Sequence, residues 1–345
     1  MNLLSAYIGM DEIKLDSIRK SKWNQKKQKT FEKAYDFAAE LIESEAKRSN
    51  FKRSPLEINE EGFQKFIENF PYELTPDQLK CSHSLINDFN SPKMMDRLIC
   101  GEVGFGKTEM ALRASYISYM NGFQVCLMVP TTILAEQHYE TFTKRFSEYD
   151  VDVVLLTRNL STQEKKDVYL KILNQPNLIV IGTHALMNNK LDFNNVGLLI
   201  IDEEHKFGVK QKEKIKSLKA QIDVMYLSAT PIPRTLNLAL TDLKDFSIIA
   251  SPPHGRKPVE TIVSRESKSF IKEAIRREKL RGGQTFYVCN RIHKLEEEKY
   301  KLTQIFPEKN IDIVHGQMDP LKIKKILDNF KEGNIDVLVC TTIIE

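Results

Sequence analysis

The sequence predicts an α/β protein built on a doubly wound parallel sheet, and three observations predict it. Between residues 97 and 251 short apolar runs alternate with helical patterns, the arrangement of βαβ units. Those runs are near-continuous in apolar residues rather than alternating, which marks strands covered on both faces. The stretch Gly101-Glu-Val-Gly-Phe-Gly-Lys-Thr108 stands between one such run, Arg97–Cys100, and a helical pattern over Glu109–Tyr119. Strand, glycine loop and helix in that order turn the GxxxxGK(S/T) spelling into a phosphate-binding loop, rather than a glycine turn that merely joins two elements. In an open parallel sheet ligands bind beyond the carboxyl ends of the strands. The informative residues sit at those ends: the glycine loop, Thr131 and Thr132, Thr183 and His184, Asp202 and Glu203, and Ser228 to Thr230.

Composition sets the bounds. A chain of 345 residues, 41% hydrophobic and 28% charged, is that of an ordinary globular protein, with room for two domains or slightly more. No apolar run approaches the ~20 residues of a membrane helix; the longest, such as Leu198-Leu-Ile-Ile201, are strand-sized. The start, Met1-Asn-Leu-Leu-Ser-Ala, lacks the basic and apolar regions of a secretory signal. Five cysteines at 81, 100, 126, 289 and 340 form no CxxC pair, and read as reduced core residues of a cytoplasmic protein without a cysteine metal site. The net charge of +4 permits a polyanionic partner without demanding one.

In chain order, residues 14 to 33 are basic, eight of the twenty being Lys or Arg, with Trp23 among them. From Asn24 to Arg48 the residues Phe31, Tyr35, Ala38, Leu41 and Ile42 recur at helical spacing, giving one apolar stripe. This is either a solvated helix docked by its stripe or a connector helix that also meets nucleic acid. A shorter helix is expected from Asn59, a good N-cap, with Phe63, Phe66, Ile67 and Phe70 as its buried face and Pro71 as its stop. Thr75 caps the next helix, which begins at Pro76. Gln78 falls in its first turn, where the amide either belongs to a plain capped helix or reads the edge of adenine.

The predicted strands of the first domain are Arg97–Cys100, Gln124–Pro130, Val151–Thr157, Leu178–Thr183, Leu198–Asp202, Val224–Thr230 and Phe246–Ala250. Ser251-Pro-Pro-His-Gly-Arg-Lys-Pro258 then reads as a linker. Beyond it, strands are expected at Val259–Val263, Thr285–Cys289, Ile311–Val314 and Val337–Cys340, and helices at Ser267–Arg281, Lys294–Phe306 and Pro320–Glu332. Only 87 residues follow Pro258, fewer than the about 100–150 usual for such a domain.

The chemistry follows from residue type and place. Gly101, Gly104 and Gly106 let successive backbone N–H groups of 101–108, through Glu102, Val103 and Phe105, face one anion. Lys107 reaches the β- and γ-phosphates of a nucleotide, and the Thr108 hydroxyl ligates Mg²⁺. Asp202-Glu-Glu-His205 follows a strand: Asp202 suits Mg²⁺ held through water, and Glu203 suits orienting or deprotonating the attacking water. Glu204 and His205 are expected to face the neighbouring domain or the next motif. Ser228-Ala229-Thr230 could sense the γ-phosphate and pass the signal onward, although a plain turn explains that string equally well.

Taken together with Pro130-Thr-Thr-Ile-Leu-Ala135, Gly182-Thr-His184, Tyr287-Val-Cys-Asn-Arg291, His315-Gly-Gln-Met318 and Cys340-Thr-Thr-Ile-Ile-Glu345, these strings stand in the order of a superfamily-two helicase. Within it the chain resembles the Mfd family of bacterial transcription-repair coupling factors, through Leu74-Thr-Pro-Asp-Gln78, Phe105 and Glu109 around the GKT, DEEHKFGV, TPIPRT and CTTIIE. The related RecG family shares the layout. The resemblance implies RecA-like lobes with P-loop NTPase chemistry, an ATP- and Mg²⁺-dependent double-stranded DNA translocase, and partners in RNA polymerase and an excision-repair damage-recognition protein. It implies the end of a polymerase-interaction module and a connector helix over 1–50, a helical lead-in over 51–96, a first lobe over 97–252 and a partial second lobe over 253–345. It assigns Gln78 to adenine, Lys107, Asp202 and Glu203 to catalysis, Glu204, His205, Ser228, Ala229 and Thr230 to coupling, and Thr131, Thr132, Thr183, His184 and Thr341 to the DNA backbone, where hydroxyls position phosphate without reading bases.

The family continues past TTIIE with a Gly-Ile-Asp-rich segment and an arginine-rich motif, which do not follow Glu345 here. An arginine finger is worth about 10³–10⁵ in rate. The chain as given is therefore expected to bind ATP·Mg²⁺ but to turn it over poorly, and to expose apolar strand edges in its second lobe. Two rival readings remain: a RecG-like branched-DNA helicase, and a hydrolysis-deficient binding fragment. A small-molecule kinase would leave the DEEH and SAT strings unexplained.

Overall fold

A computed structural model describes residues 51–187, 195–207, 222–229, 245–256 and 259–342. The expected stripe over Asn24–Arg48 and the basic stretch with Trp23 lie outside the described residues. The chain divides into two compact units, Met1–Arg256 and Lys257–Glu345.

The first unit is a seven-stranded parallel sheet in the order β3-β4-β2-β5-β6-β1-β7. Its strands are β1 Asp96–Gly101, β2 Gln124–Met128, β3 Val153–Leu156, β4 Ile179–Gly182, β5 Val196–Asp202, β6 Asp223–Ser228 and β7 Asp245–Ile249. The helices described with them are α1 Glu60–Glu68, α2 Pro76–Asn90, α3 Lys107–Met120, α4 Thr132–Phe146 and α5 Thr162–Asn174. All seven predicted strands are present, with ends shifted by at most two residues. β2, β4 and β6 bury nearly every residue, so two apolar clusters form, one on each face of the sheet. This is what a doubly covered sheet requires.

Local signals explain the helices. Asn59 caps α1 by accepting from Gly62 N, and Phe63 and Phe66 are buried. The helix closes on Asn69, two residues before Pro71, so the proline confirms the stop rather than causing it. Phe66 stacks on Tyr116 of α3 with ring centroids 4.5 Å apart. α3 is buried from Glu109 to Tyr119 on all sides, as a helix covered by both the sheet and other helices must be. Two of its charges go inside with it: Glu109 accepts from Arg113 at 2.9 Å and from Arg145 of α4 at 3.4 Å. Burial raises the Glu109 pKa, and the two guanidiniums pull it back.

In the second unit α6 Lys268–Leu280, β8 Thr285–Val288, α7 Leu295–Ile305, β9 Ile311–Val314, α8 Pro320–Lys331 and β10 Val337–Cys340 form a three-stranded parallel sheet in the order β8-β10-β9. The expected strand Val259–Val263 is not one. Residues 259–263 have no ladder partner among the described residues, and Val259 and Val263 are 82% and 96% exposed. β-branched residues favour an extended chain, but a strand exists only when another strand pairs with it. Among the described residues, no helix is long and apolar enough to cross a membrane.

Candidate nucleotide site

Order in the sheet decides which strand ends meet. β5, β6 and β1 are neighbours, so Asp202 and Glu203, Ser228 and Ala229, and the loop after Gly101 share one stretch of the carboxyl rim. β4 and β2 are also neighbours. They bring Thr183 and His184 beside Thr131 and Thr132 on the other side of β5.

The glycine loop has the shape its residues predict. Gly104 and Gly106 adopt φ of 79° and 85°, the left-handed region that a side chain disfavours. Phe105 N donates to Glu102 O at 3.1 Å, and the Phe105 ring is buried. Gly106 is the N-cap of α3 and offers no side-chain cap. Glu109 N donates to Gly106 O at 3.0 Å, and no side chain caps the N–H groups of Lys107 and Thr108 at the start of this 14-residue helix, which is the donor set an anion takes. Lys107 Nζ donates to Gly101 O at 2.6 Å and Glu102 O at 3.2 Å. Burial lowers its pKa, while Asp202 and Glu203 act in the opposite direction. Lys107 therefore lies between the loop and the acidic pair. Thr108 follows, half-buried in the first turn.

Gln78 differs from the expectation for a base-reading amide. It is buried, and both ends of its amide are engaged within the chain: Oε1 accepts from Thr75 N at 2.9 Å and Nε2 donates to Phe105 O at 2.9 Å. The first contact closes a capping box with Thr75. The second holds the glycine loop. A Cβ at Gly106 would strike Gln78 Nε2, and one at Gly104 would strike the Arg256 guanidinium. Gly106 is thus favoured by close approach to the buried Gln78 as well as by backbone angle, and Gly104 by backbone angle.

Two further contacts at this rim were not legible in the sequence. Asp77 Oδ2 accepts from Ala250 N at 3.0 Å, Ser251 N at 2.8 Å and Ser251 Oγ at 2.7 Å, tying the exit of β7 to α2. The Ser251 hydroxyl holds the Asp77 carboxyl below its ordinary range. Arg256, read only as part of a linker, places its guanidinium 5.2 Å from the Phe105 ring centroid.

The acidic end of β5 is built differently for its two carboxylates. Asp202 Oδ2 meets His138 Nε2 of α4 at 3.1 Å. Glu203 sits at φ 53°, ψ 54°, an uncommon conformation for a non-glycine residue that clusters at functional sites. Its N–H donates to Leu227 O at 3.0 Å, and its Oε1 accepts from Ala229 N at 3.1 Å. The acidic motif and the Ser228-Ala229 turn are therefore directly bonded. Glu204 opens a short 3₁₀ turn over Glu204–Lys206. The side chain of His205 and the whole of Thr230 lie outside the described residues.

The residues expected on DNA divide. Thr131 is the N-cap of α4, its hydroxyl accepting from Leu134 N at 3.3 Å, and Thr132 begins the helix. His184 is exposed. Thr183 is 2% exposed, so its side chain is not placed as a surface hydroxyl; β4 carries it inward at the strand end. Thr341 stands after β10 in the second unit and is half-buried.

The cradle fits a triphosphate with a metal. Left-handed glycines leave amides uncovered, Lys107 adds a cation, and Thr108 and Asp202 supply the oxygen donors that Mg²⁺ prefers.

The DEAD/DEAH box helicase family matches residues 75–239, and the helicase conserved C-terminal domain family matches residues 266–345. The chain is 44% identical over 347 residues to the transcription-repair-coupling factor of Haemophilus influenzae and 41% identical over 347 residues to that of Escherichia coli. Each match takes in 100% of this chain but 30% of the relative, so the chain spans under a third of those proteins. A solved structure of RecG bound to a three-way DNA junction aligns with TM-score 0.70 and 34% identity, over 90% of this chain and 42% of that one. A DNA-bound helicase, MrfA, at 17% identity and TM-score 0.61 over 85% of this chain and 46% of that one, shares the RecA-like fold.

Proposed function

We propose that this chain, which matches the DEAD/DEAH box helicase family over residues 75–239 and aligns along its whole length with under a third of two transcription-repair-coupling factors, is the ATP-driven, DNA-translocating part of such a factor. The observation that carries this reading is the meeting of three elements on adjacent strand ends. They are the left-handed glycine loop, the Asp202–Glu203 pair, and the bond from Ala229 N to Glu203 Oε1.

In this reading the amides of 101–108 and Lys107 bind the phosphates, and Thr108 and Asp202 hold Mg²⁺, which when bound neutralises charge developing on the transferred phosphoryl group. Glu203 orients and deprotonates the attacking water. The Ala229–Glu203 bond makes the turn after β6 responsive to the state of that carboxylate. Gln78 fixes Phe105 with one N–H and meets adenine with its second lone pair and second N–H. Thr131, Thr132 and His184 contact the backbone of double-stranded DNA, with Thr341 doing so from the second unit. RNA polymerase and an excision-repair damage-recognition protein are the proposed partners of the full-length factor.

The test is a titration of the chain with a fluorescent ATP analogue and duplex DNA. Binding that Lys107→Ala abolishes, and that DNA strengthens, supports the reading; binding indifferent to Lys107→Ala defeats it. The RecG structure on a three-way junction favours a second reading as a branched-DNA helicase. Within a full-length protein carrying this segment, unwinding of junctions with no displacement of stalled RNA polymerase would select it.

A further inference from the structure

We propose that His138 is a positioning residue for Asp202, and that through it α4 ties the nucleic-acid rim to the metal site; the assignment rests on the functional reading above. His138 is 8% exposed and lies 64 residues from Asp202 in sequence, yet its Nε2 is 3.1 Å from Asp202 Oδ2. An ionised carboxylate only accepts, so Nε2 carries the proton and donates. The ring is held edge-on to Phe142, with centroids 6.3 Å apart at 70°. One carboxylate oxygen is thereby fixed and the orientation of the whole group is set.

Partners that orient a metal-binding side chain typically govern metal affinity by about 10–100-fold. The same helix starts at Thr132, capped by Thr131, and places His138 six residues later, about 9 Å along a rigid rod. A shift at the end that meets a DNA phosphate therefore reaches the carboxylate, and the effect of one ligand on the other is reciprocal.

The experiment uses the 345-residue chain, a fluorescent non-hydrolysable ATP analogue, Mg²⁺ and duplex DNA. His138→Phe keeps an aromatic ring against Phe142 and removes the donor; His138→Gln places an amide N–H near the position of Nε2. The Phe variant is expected to raise the Mg²⁺ concentration for half-maximal Mg²⁺-dependent nucleotide binding by about 10–100-fold. Nucleotide affinity in EDTA stays unchanged, and the factor by which Mg²⁺·nucleotide alters DNA affinity falls towards one. The Gln variant recovers most of both. His138→Phe with the wild-type Mg²⁺ dependence overturns the assignment alone. So does a loss of EDTA-phase binding and thermal stability in both variants, which marks a packing residue. A wild-type chain that binds no nucleotide at all overturns the functional reading and this assignment with it.

Discussion

Gly106→Ala gives the sharpest test of how the phosphate loop is held. Gly106 has φ 85°, and an L residue there costs about 1–2 kcal/mol. Its new Cβ also strikes Gln78 Nε2, so the amide must release Phe105 O, a further cost of about 0.5–1.5 kcal/mol. The sum is about 1.5–3.5 kcal/mol. If it falls on the binding-competent loop, nucleotide affinity drops by about 10- to 400-fold. The assay is a titration with a fluorescent ATP analogue, run beside thermal melts of wild type, Gly106→Ala, Gln78→Ala and the double variant. In the Gln78→Ala background the substitution should cost only the backbone part, leaving a coupling of about 1 kcal/mol. Gly106→Ala binding at wild-type affinity, or strict additivity in the cycle, would refute the claim that Gln78 braces this loop.

Other expectations follow from the same contacts. Within a full-length factor carrying this segment, Glu203→Gln should bind ATP·Mg²⁺ near wild-type affinity while DNA-stimulated phosphate release falls by about 10²–10⁴, read by a coupled phosphate assay. Arg113→Ala leaves Glu109, 3% exposed, short of its closest cation and should destabilise by about 3–5 kcal/mol in urea melts; a loss below that of an exposed lysine change would contradict the buried ion cluster. Asp77 has a folded-state pKa below its ordinary 3.8, chiefly because of the Ser251 hydroxyl. Its contribution is therefore complete above the unfolded-state value and disappears as pH falls through the lower folded-state value. The stability gap between wild type and Asp77→Asn should be flat from neutral pH to about pH 5 and close below about pH 4; a gap that widens on acidification would be the wrong sign.

The parallel sheet was legible because β1 to β7 are short and largely apolar, and because α4 and α5 between β2, β3 and β4 are capped by Thr131 and Ser161, a pattern that local physics writes into neighbouring residues. Ser267, Thr75 and Asn59 cap their helices where their side chains predict. The segment Val259–Val263 shows the limit. Its composition suits a strand, but pairing is a property of a second segment that composition does not name. The loop motif and the acidic pair were legible from spelling; their supports were not. Gln78 meets Phe105 across 27 residues, His138 meets Asp202 across 64, and Asp77 meets Ser251 across 174. His138 carried no signal beyond a polar residue on the buried side of α4. Gln78 looked like a base reader because an amide both donates and accepts beside the phosphate loop, whereas its capping box and its bond to Phe105 depend on the folded chain. Thr183 was assigned to the DNA backbone by resemblance, whereas the end of β4 buries it.

The central claim is that main-chain amides after β1, Lys107 and the Asp202–Glu203 pair together hold a metal-bound triphosphate. Competitive titration with ATP, ADP and AMP, with Mg²⁺ and with EDTA, in wild type and Lys107→Ala tests it most directly. The account predicts that wild type prefers ATP over AMP only when Mg²⁺ is present, and that Lys107→Ala erases the preference. Equal affinity for all three nucleotides in wild type, or a preference that survives Lys107→Ala, would contradict it.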